Sequence, residues 1–240
     1  MNTDCHTVLL DIEGTTSSIS YVHDEMFPYV REKLAGYLVQ NWDSDSLKKS
    51  IDLIASDADL EDWPDSSLDM IDQQIQIIEE VNRQMDGDLK ATGLKDLQGK
   101  IWKEGFESGG LKAHLYDDVK PALDSWKELG HDLRIYSSGS VQAQLLFFGH
   151  TVEGNLLDLF SAHYDTNIGG KKEAASYAHI VSDIGCDAGQ VLFVSDILEE
   201  LNAAKQSGLQ TALSVRPGNN PVEQDHDHPV IQSFAEIQLG

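Results

Sequence analysis

The chain of 240 residues predicts an α/β fold: a Rossmann-like parallel sheet with an all-helical segment inserted after the first strand. Two observations carry that expectation. Short apolar runs alternate with amphipathic helical patterns near the N-terminus and through the C-terminal half, as in a parallel sheet covered by helices on both faces. Between about Ser20 and Lys112, apolar residues instead recur at helical spacing and no convincing strand interrupts them.

In chain order, TVLLDI (7–12) is the first buried strand. Helical spacing follows in Phe27, Val30, Leu34, Tyr37 and Leu38, and again in Leu68, Ile71, Ile75, Ile78 and Val81. The acidic, Ser-rich stretch between them reads as exposed helix and loop. The chain returns to the sheet at GLKAHLYDDVKP, so the catalytic core is expected at 1–19 and 113–240 and a helical cap at 20–112. Beyond it, DLRIYSS (132–138), VLFVSD (191–196) and TALSV (211–215) read as strands, with SAHYDT (161–166) a weaker one. The helical patterns DDVKPALDSWKELG, SVQAQLLFFGH, KKEAASYAHIVSDIG and LEELNAAKQSG separate them. Gly130, Gly185 and Gly208 fall where helices should end.

Composition narrows the function. With 17 Lys and Arg against 41 Asp and Glu, the formal charge is −24, a surface that repels nucleic acid and anionic lipid. It also repels a phosphorylated metabolite, so a phosphate site needs local cations, metal or backbone N–H groups. The two cysteines, Cys5 and Cys186, suggest neither a disulfide scaffold nor a zinc site. The polar start MNTDCHT lacks the features of a signal peptide, and no stretch is long and apolar enough to span a bilayer. A soluble, cytoplasmic protein is expected.

Ligands of doubly wound sheets bind beyond the carboxyl ends of the strands. The polar residues at those ends are Asp11 and Glu13, Ser137 and Ser138, and Asp196, with Lys171 after IGG near the same edge. Taken alone, Asp11 and Glu13 read at least as well as the turn after a strand with a helix cap. Together, carboxylates, hydroxyls, a lysine and helix N-terminal amides suit Mg²⁺-assisted phosphoryl transfer.

The ordered set DIEGT, YSSGS, GGKK and SDILEE resembles the motifs of the haloacid-dehalogenase-like phosphatases, with the helical insert where that family carries mobile caps. LLDIEGTTSSISYV, IYSSGSVQAQLLFFGH, the lysine after IGG and VRPGN narrow the resemblance to the enolase-phosphatases of methionine salvage, also called acireductone synthases. The resemblance implies Asp11 as nucleophile and Mg²⁺ ligand and Glu13 as acid and base, its backbone carbonyl also reaching the metal. It implies Asp196 as a metal ligand, Ser137 and Ser138 on the phosphate, and Lys171 rather than Lys172 as the neutralising cation. Glu200 either supports the metal shell or is a solvated helix acid. One Mg²⁺ per subunit, a small phosphorylated diketone substrate and a monomer are implied. The substrate would be 2,3-diketo-5-methylthiopentyl-1-phosphate, enolised and then dephosphorylated to 1,2-dihydroxy-3-keto-5-methylthiopentene. The enolisation base is left open between Glu13 and a cap residue.

Three other functions keep the same core: a phosphatase of another small ester, a phosphomutase, and a catalytically silent binding protein. The last is disfavoured because Asp11 and Asp196 are both present. Elsewhere, DHDHP (225–229) reads as a polar loop, Asp24 as a helix cap beside His23, and Trp63, Trp102 and Trp126 as core or interface anchors. Cys186 reads as structural.

Overall fold

A computed structural model describes residues 1–89, 91–222 and 225–240. The chain divides into two compact units, Met1–Val22 with Lys112–Gly240, and His23–Leu111. The first unit contains β1 (Asn2–Thr3), β2 (Thr7–Leu10), β3 (Asp132–Tyr136), β4 (Ala162–Tyr164), β5 (Val191–Ser195), β6 (Gln210–Ser214), β7 (Val230–Ile231) and β8 (Gln238–Leu239). Six of them form one sheet in the order β4-β3-β2-β5-β6-β7, with every pair parallel. β1 and β8 pair separately. β2 and β5 are buried at every position, as central strands covered on both faces must be.

β2 stops at Leu10, two residues before the apolar run TVLLDI ends. The reason is a turn: the Ile12 carbonyl accepts the amides of Thr15, Thr16 and Ser17 at 3.2, 3.0 and 2.9 Å, bonds that a straight strand could not make. The short helix α1 (Ile19–Tyr21) follows, capped by the Ser18 hydroxyl on the Tyr21 amide. Asp24 is therefore not the cap expected of it. It lies exposed in a π-helical turn, Val22–Met26, whose preceding residues already supply the helix start.

The second unit is built from α2 (Phe27–Asn41), α3 (Asp45–Asp57), α4 (Met70–Asp86) and α5 (Thr92–Glu107). Val30, Leu34 and Leu38 of α2 join Leu47, Ile51, Ile54, Ile77, Val81, Leu94, Leu97 and Ile101 in its core. α3 and α5 cross so closely that a Cβ on Gly93 would lie 2.3 Å from the Ile54 amide nitrogen. On α4 the buried stripe is Gln74, Ile77, Val81 and Gln84, while Ile71 and Ile75 are exposed. Ile71, Ile75, Ile78 and Val81 lie in this helix as their spacing predicts, with Val81 and Ile78 packed on the core, while two glutamines rather than Ile71 and Ile75 complete the buried stripe. Trp63 and Trp102 pack partly buried against this core, and Trp102 donates its indole N–H to the Met26 carbonyl at 2.9 Å.

The first unit resumes with α6 (Val119–Glu128), α7 (Val141–Gly149), α8 (Ala174–Ile184) and α9 (Leu198–Gln206). Gly130, Gly185 and Gly208 follow α6, α8 and α9 with positive φ, as helix-ending residues do. Trp126 is buried and stacks on Phe234, with ring centroids 5.4 Å apart. The segment DHDHP is not a polar loop throughout. His228 is buried between Thr211 Oγ1 at 2.7 Å and Asn202 Oδ1 at 3.0 Å, and leads into β7. Among the described residues no helix is long and apolar enough to cross a membrane.

Candidate active site

The parallel register assembles the site. Leu10 lies opposite both Ile135 and Val194, so the residues after β2, β3 and β5 emerge at one edge of the sheet. The ladder continues one step further there: the Asp11 amide donates to the Val194 carbonyl at 3.0 Å, and the Ser137 amide to the Tyr164 carbonyl at 3.2 Å. Asp11, Glu13, Ser137, Ser138, Lys171, Asp196 and Glu200 all line one cavity of about 130 Å³, together with Ile19 and Ile197. Whole-ligand pockets usually run to roughly 300–1,000 Å³, so this cavity has the size of a headgroup site.

Asp11 stands at its floor, 4 % exposed. Its Oδ1 accepts the Ile12 amide at 2.8 Å and meets Lys171 Nζ at 2.7 Å, while its Oδ2 faces Ser195 Oγ at 3.1 Å. Lys171 Nζ is also 2.7 Å from Glu200 Oε2. Lys172, by contrast, is exposed and 4.0 Å from Glu199. Glu200 is buried, which rules out the solvated-helix reading of that residue. Ser195 Oγ lies 3.0 Å from Glu200 Oε2 as well, and its single hydrogen can serve only one of the two carboxylates at a time.

The residues GTT after Glu13 hold this arrangement in place. Gly14 has φ +68, and a Cβ there would lie 2.3 Å from Asp196 Oδ2. Its carbonyl accepts Ser214 Oγ at 3.1 Å and Asn219 Nδ2 at 2.9 Å. Thr16 Oγ1 lies 3.2 Å from both the Asp11 and Ile12 carbonyls. Behind the turn, Arg216 donates to the Thr15 carbonyl at 3.2 Å and pairs bidentately with Asp118, both contacts 2.9 Å. Glu13 itself is exposed on the cavity side.

On the β3 side, Ser137 is buried and Ser138 exposed. The Ser137 hydroxyl accepts the Gly139 amide at 3.3 Å, and Ser140 caps α7 through the Ala143 amide at 3.2 Å. Asp165, after β4, accepts the Val141 amide at 3.0 Å and so ties the two strand-end loops together.

Negative charge exceeds positive charge here. Burial pulls the Lys171 pKa down, but the Asp11 and Glu200 carboxylates outweigh it and the net shift is upward. Burial, reinforced by Asp11 and Glu200, pushes Asp196 up to about 7. Burial and the Asp11 charge likewise raise Glu200, against the opposing pull of Lys171. Among the described residues no three His, Cys, Asp or Glu side chains converge as a metal cage. An oxygen-only donor set with two strand-end carboxylates and surplus negative charge nevertheless suits Mg²⁺, which takes one or two carboxylates and fills its shell with water and phosphate oxygens.

Ser195, Asp165, Asp118 and Arg216 were not singled out from the sequence. Ser195 sits inside an apolar strand run, and Arg216 meets Asp118 across 98 residues, a pairing that no local spacing signals.

The haloacid dehalogenase-like hydrolase family model matches residues 5–208. Enolase-phosphatase E1 of Danio rerio is 41 % identical over 244 residues, covering 96 % of this chain and 94 % of the relative. That of Aquifex aeolicus is 44 % identical over 232 residues, covering 97 % and 98 %. Among solved structures, the UTR4 protein of Saccharomyces cerevisiae aligns with TM-score 0.78 and 36 % identity, covering 96 % of this chain and 99 % of that one.

Proposed function

The chain belongs to the haloacid dehalogenase-like hydrolases and, within them, to the enolase-phosphatases, and on that premise we propose that it converts 2,3-diketo-5-methylthiopentyl-1-phosphate to acireductone and phosphate in methionine salvage. The observation that carries the phosphatase half is the buried Asp11 carboxylate, held by Lys171 at 2.7 Å where the parallel strands end. The strand-end position, the paired cation and the headgroup-sized cavity together suit covalent catalysis on phosphorus.

In this reading Ser137, Ser138 and the amides of the SSGS turn bind the phosphate oxygens, and Lys171 neutralises them. A carboxylate oxygen of Asp11 attacks phosphorus, forming an aspartyl phosphate as the bond to the substrate oxygen breaks. Glu13, exposed on the cavity side, gives its proton to that leaving oxygen. Glu13 then takes a proton from water, whose oxygen attacks phosphorus and returns Asp11 as a carboxylate. The side chains of Asp11 and Asp196 and the backbone carbonyl of Glu13 would hold one Mg²⁺. When bound, that ion neutralises phosphate oxygens and polarises the substrate carbonyl for enolisation. Glu200 shares the Lys171 ammonium with Asp11 and so helps to orient it. The unit His23–Leu111 acts as the cap that excludes water and selects substrate. We expect a monomer in the cytoplasm, a setting that suits the unpaired thiols Cys5 and Cys186.

The test is product analysis with the diketone phosphate and Asp11→Asn. The wild-type protein releases phosphate and acireductone. Asp11→Asn, folded and loaded with Mg²⁺, accumulates an ultraviolet-absorbing enol phosphate with little free phosphate, because an amide is a poor nucleophile. Release of an unenolised, dephosphorylated diketone by the wild type would remove the enolase half. Near-normal turnover by Asp11→Asn would remove the nucleophile.

A further inference from the structure

Lys171 is not held in place by its own ion pairs alone. The three consecutive carbonyls of Gly169, Gly170 and Lys171 each accept a side-chain hydroxyl from the core of the first unit. Tyr136 Oη donates to the Gly169 carbonyl at 2.9 Å, Ser176 Oγ to Gly170 at 2.8 Å, and Tyr177 Oη to Lys171 at 2.6 Å. All three donors are essentially buried. Tyr136 closes β3 immediately before Ser137, while Ser176 and Tyr177 are adjacent in α8. The loop accepts this clamp only because it is glycine. Gly169 has φ +141, and a Cβ there would lie 2.1 Å from Ser176 Oγ. The Tyr136 ring also lies under the Lys171 ammonium, 5.8 Å from ring centre to Nζ.

We propose that Tyr136, Ser176 and Tyr177 form a hydroxyl clamp that positions Lys171 for phosphate, making them positioning residues of the reaction. A peptide carbonyl near a phosphate site repels the ligand, and a loop free to turn would bring such dipoles toward it. Three hydroxyls drawing three successive carbonyls into the core prevent that rotation, and leave the lysine side chain as the loop's contribution to the cavity. Tyr136 couples the clamp to the serine pair as well, because its backbone leads directly into Ser137. The proposal rests on the reading of Lys171 as the phosphate-binding cation.

The test measures the dissociation constant of inorganic phosphate for the full-length, Mg²⁺-loaded protein by titration calorimetry. Tyr177→Phe removes one oxygen and keeps the ring. It should weaken phosphate binding about fivefold, the equivalent of one ordinary hydrogen bond. Ser176→Ala should weaken it less, because the Gly170 carbonyl also accepts the Glu173 amide at 3.0 Å. Lys171→Met should weaken it about a hundredfold as a charge-assisted contact is lost. In the Lys171→Met background the Tyr177→Phe effect should vanish, since a clamp acting through Lys171 has nothing left to position. The Mg²⁺ concentration for half-maximal activity should stay constant in both clamp variants. If Lys171→Met leaves phosphate binding intact, the reading of Lys171 fails and the clamp falls with it. If Lys171→Met weakens binding but Tyr177→Phe changes nothing, or costs the same in both backgrounds, the clamp alone is wrong. Should Tyr177→Phe fail to fold, the same comparison with Ser176→Ala decides the matter.

Discussion

Lys171 and Asp11 form an ion pair of 2.7 Å between side chains 8 % and 6 % exposed, and the same ammonium reaches Glu200 at 2.7 Å. A buried charge stripped of its partner is expensive, and here one cation answers to two carboxylates. Lys171→Met should therefore act twice, weakening phosphate binding and leaving the buried Asp11 carboxylate without its counter-charge. The phosphatase kcat/KM should fall about a hundred- to thousandfold, as when one preorganised electrostatic contact is deleted. Lys172→Met, at the exposed neighbour, should stay within about twofold, the scale of a surface contact. Steady-state kinetics on the pair checks both; equal losses would dissolve the distinction between the two lysines.

Gly14 offers a backbone test of the same site. Its φ of +68 and the 2.3 Å approach of Asp196 Oδ2 to a notional Cβ leave no space for a methyl group. Gly14→Ala must either strain the turn, at about 1–3 kcal/mol, or push Asp196 aside. The expected result is a folded protein of lower stability that needs more Mg²⁺ for half-maximal activity. Metal titration of activity measures this directly. An unchanged Mg²⁺ requirement would separate Asp196 from the metal.

TVLLDI announces a buried strand, and the parallel sheet lets strand ends be listed without coordinates, so Asp11, Ser137 and Asp196 could be found from patterning alone. Lys171 emerged from its position after two glycines. The contacts of Ser195 and Tyr136 were not legible even though SDILEE and YSSGS begin with them, because each closes an apolar strand run and reads as core. Helical spacing marked both α2 and α4, but in α4 it left out Gln74 and Gln84, which are buried while Ile71 and Ile75 are not, because a buried glutamine reads as a surface residue. His228 looked like part of a polar loop because its partners, Thr211 and Asn202, are 17 and 26 residues away.

Arg216 and Asp118 hold the back of the Asp11 turn, and their side chains are 3 % and 22 % exposed. Asp118 also accepts the Phe234 amide at 2.6 Å. Burial pushes the Asp118 carboxyl up, but Arg216 and the Phe234 amide outweigh it and hold it below the usual carboxylate range. As pH falls, the unfolded chain therefore binds this proton first. The stabilisation is present above the unfolded value of about 4 and disappears as pH drops through the lower folded value. Asp118→Asn should cost about 3 kcal/mol at neutral pH by leaving Arg216 without its counter-charge. The gap from wild type should narrow below about pH 4. Urea unfolding across that range tests the sign; a gap that widens toward acid would refute it.

Seventeen basic residues against forty-one acidic ones leave −24, so acidic side chains outnumber basic ones by more than two to one. Exposed pairs such as Arg31–Asp86, at 2.6 Å, and Lys33–Glu32, at 2.6 Å, add little stability and weaken as salt is added. Repulsion among the remaining acids extends over the screening length, about 10 Å at 0.1 M salt but only about 3 Å at 1 M. Self-repulsion of this kind destabilises the compact state and should outweigh the few exposed pairs. Raising NaCl from 0.05 to 1 M should therefore raise the melting temperature, by about 2–4 °C for each kcal/mol of repulsion relieved in a chain of this size. Sucrose at matched osmolality provides the control for general exclusion from the surface. A melting temperature that falls with NaCl would mean that ion pairs dominate despite the charge imbalance. One that rises equally with sucrose would remove charge from the explanation.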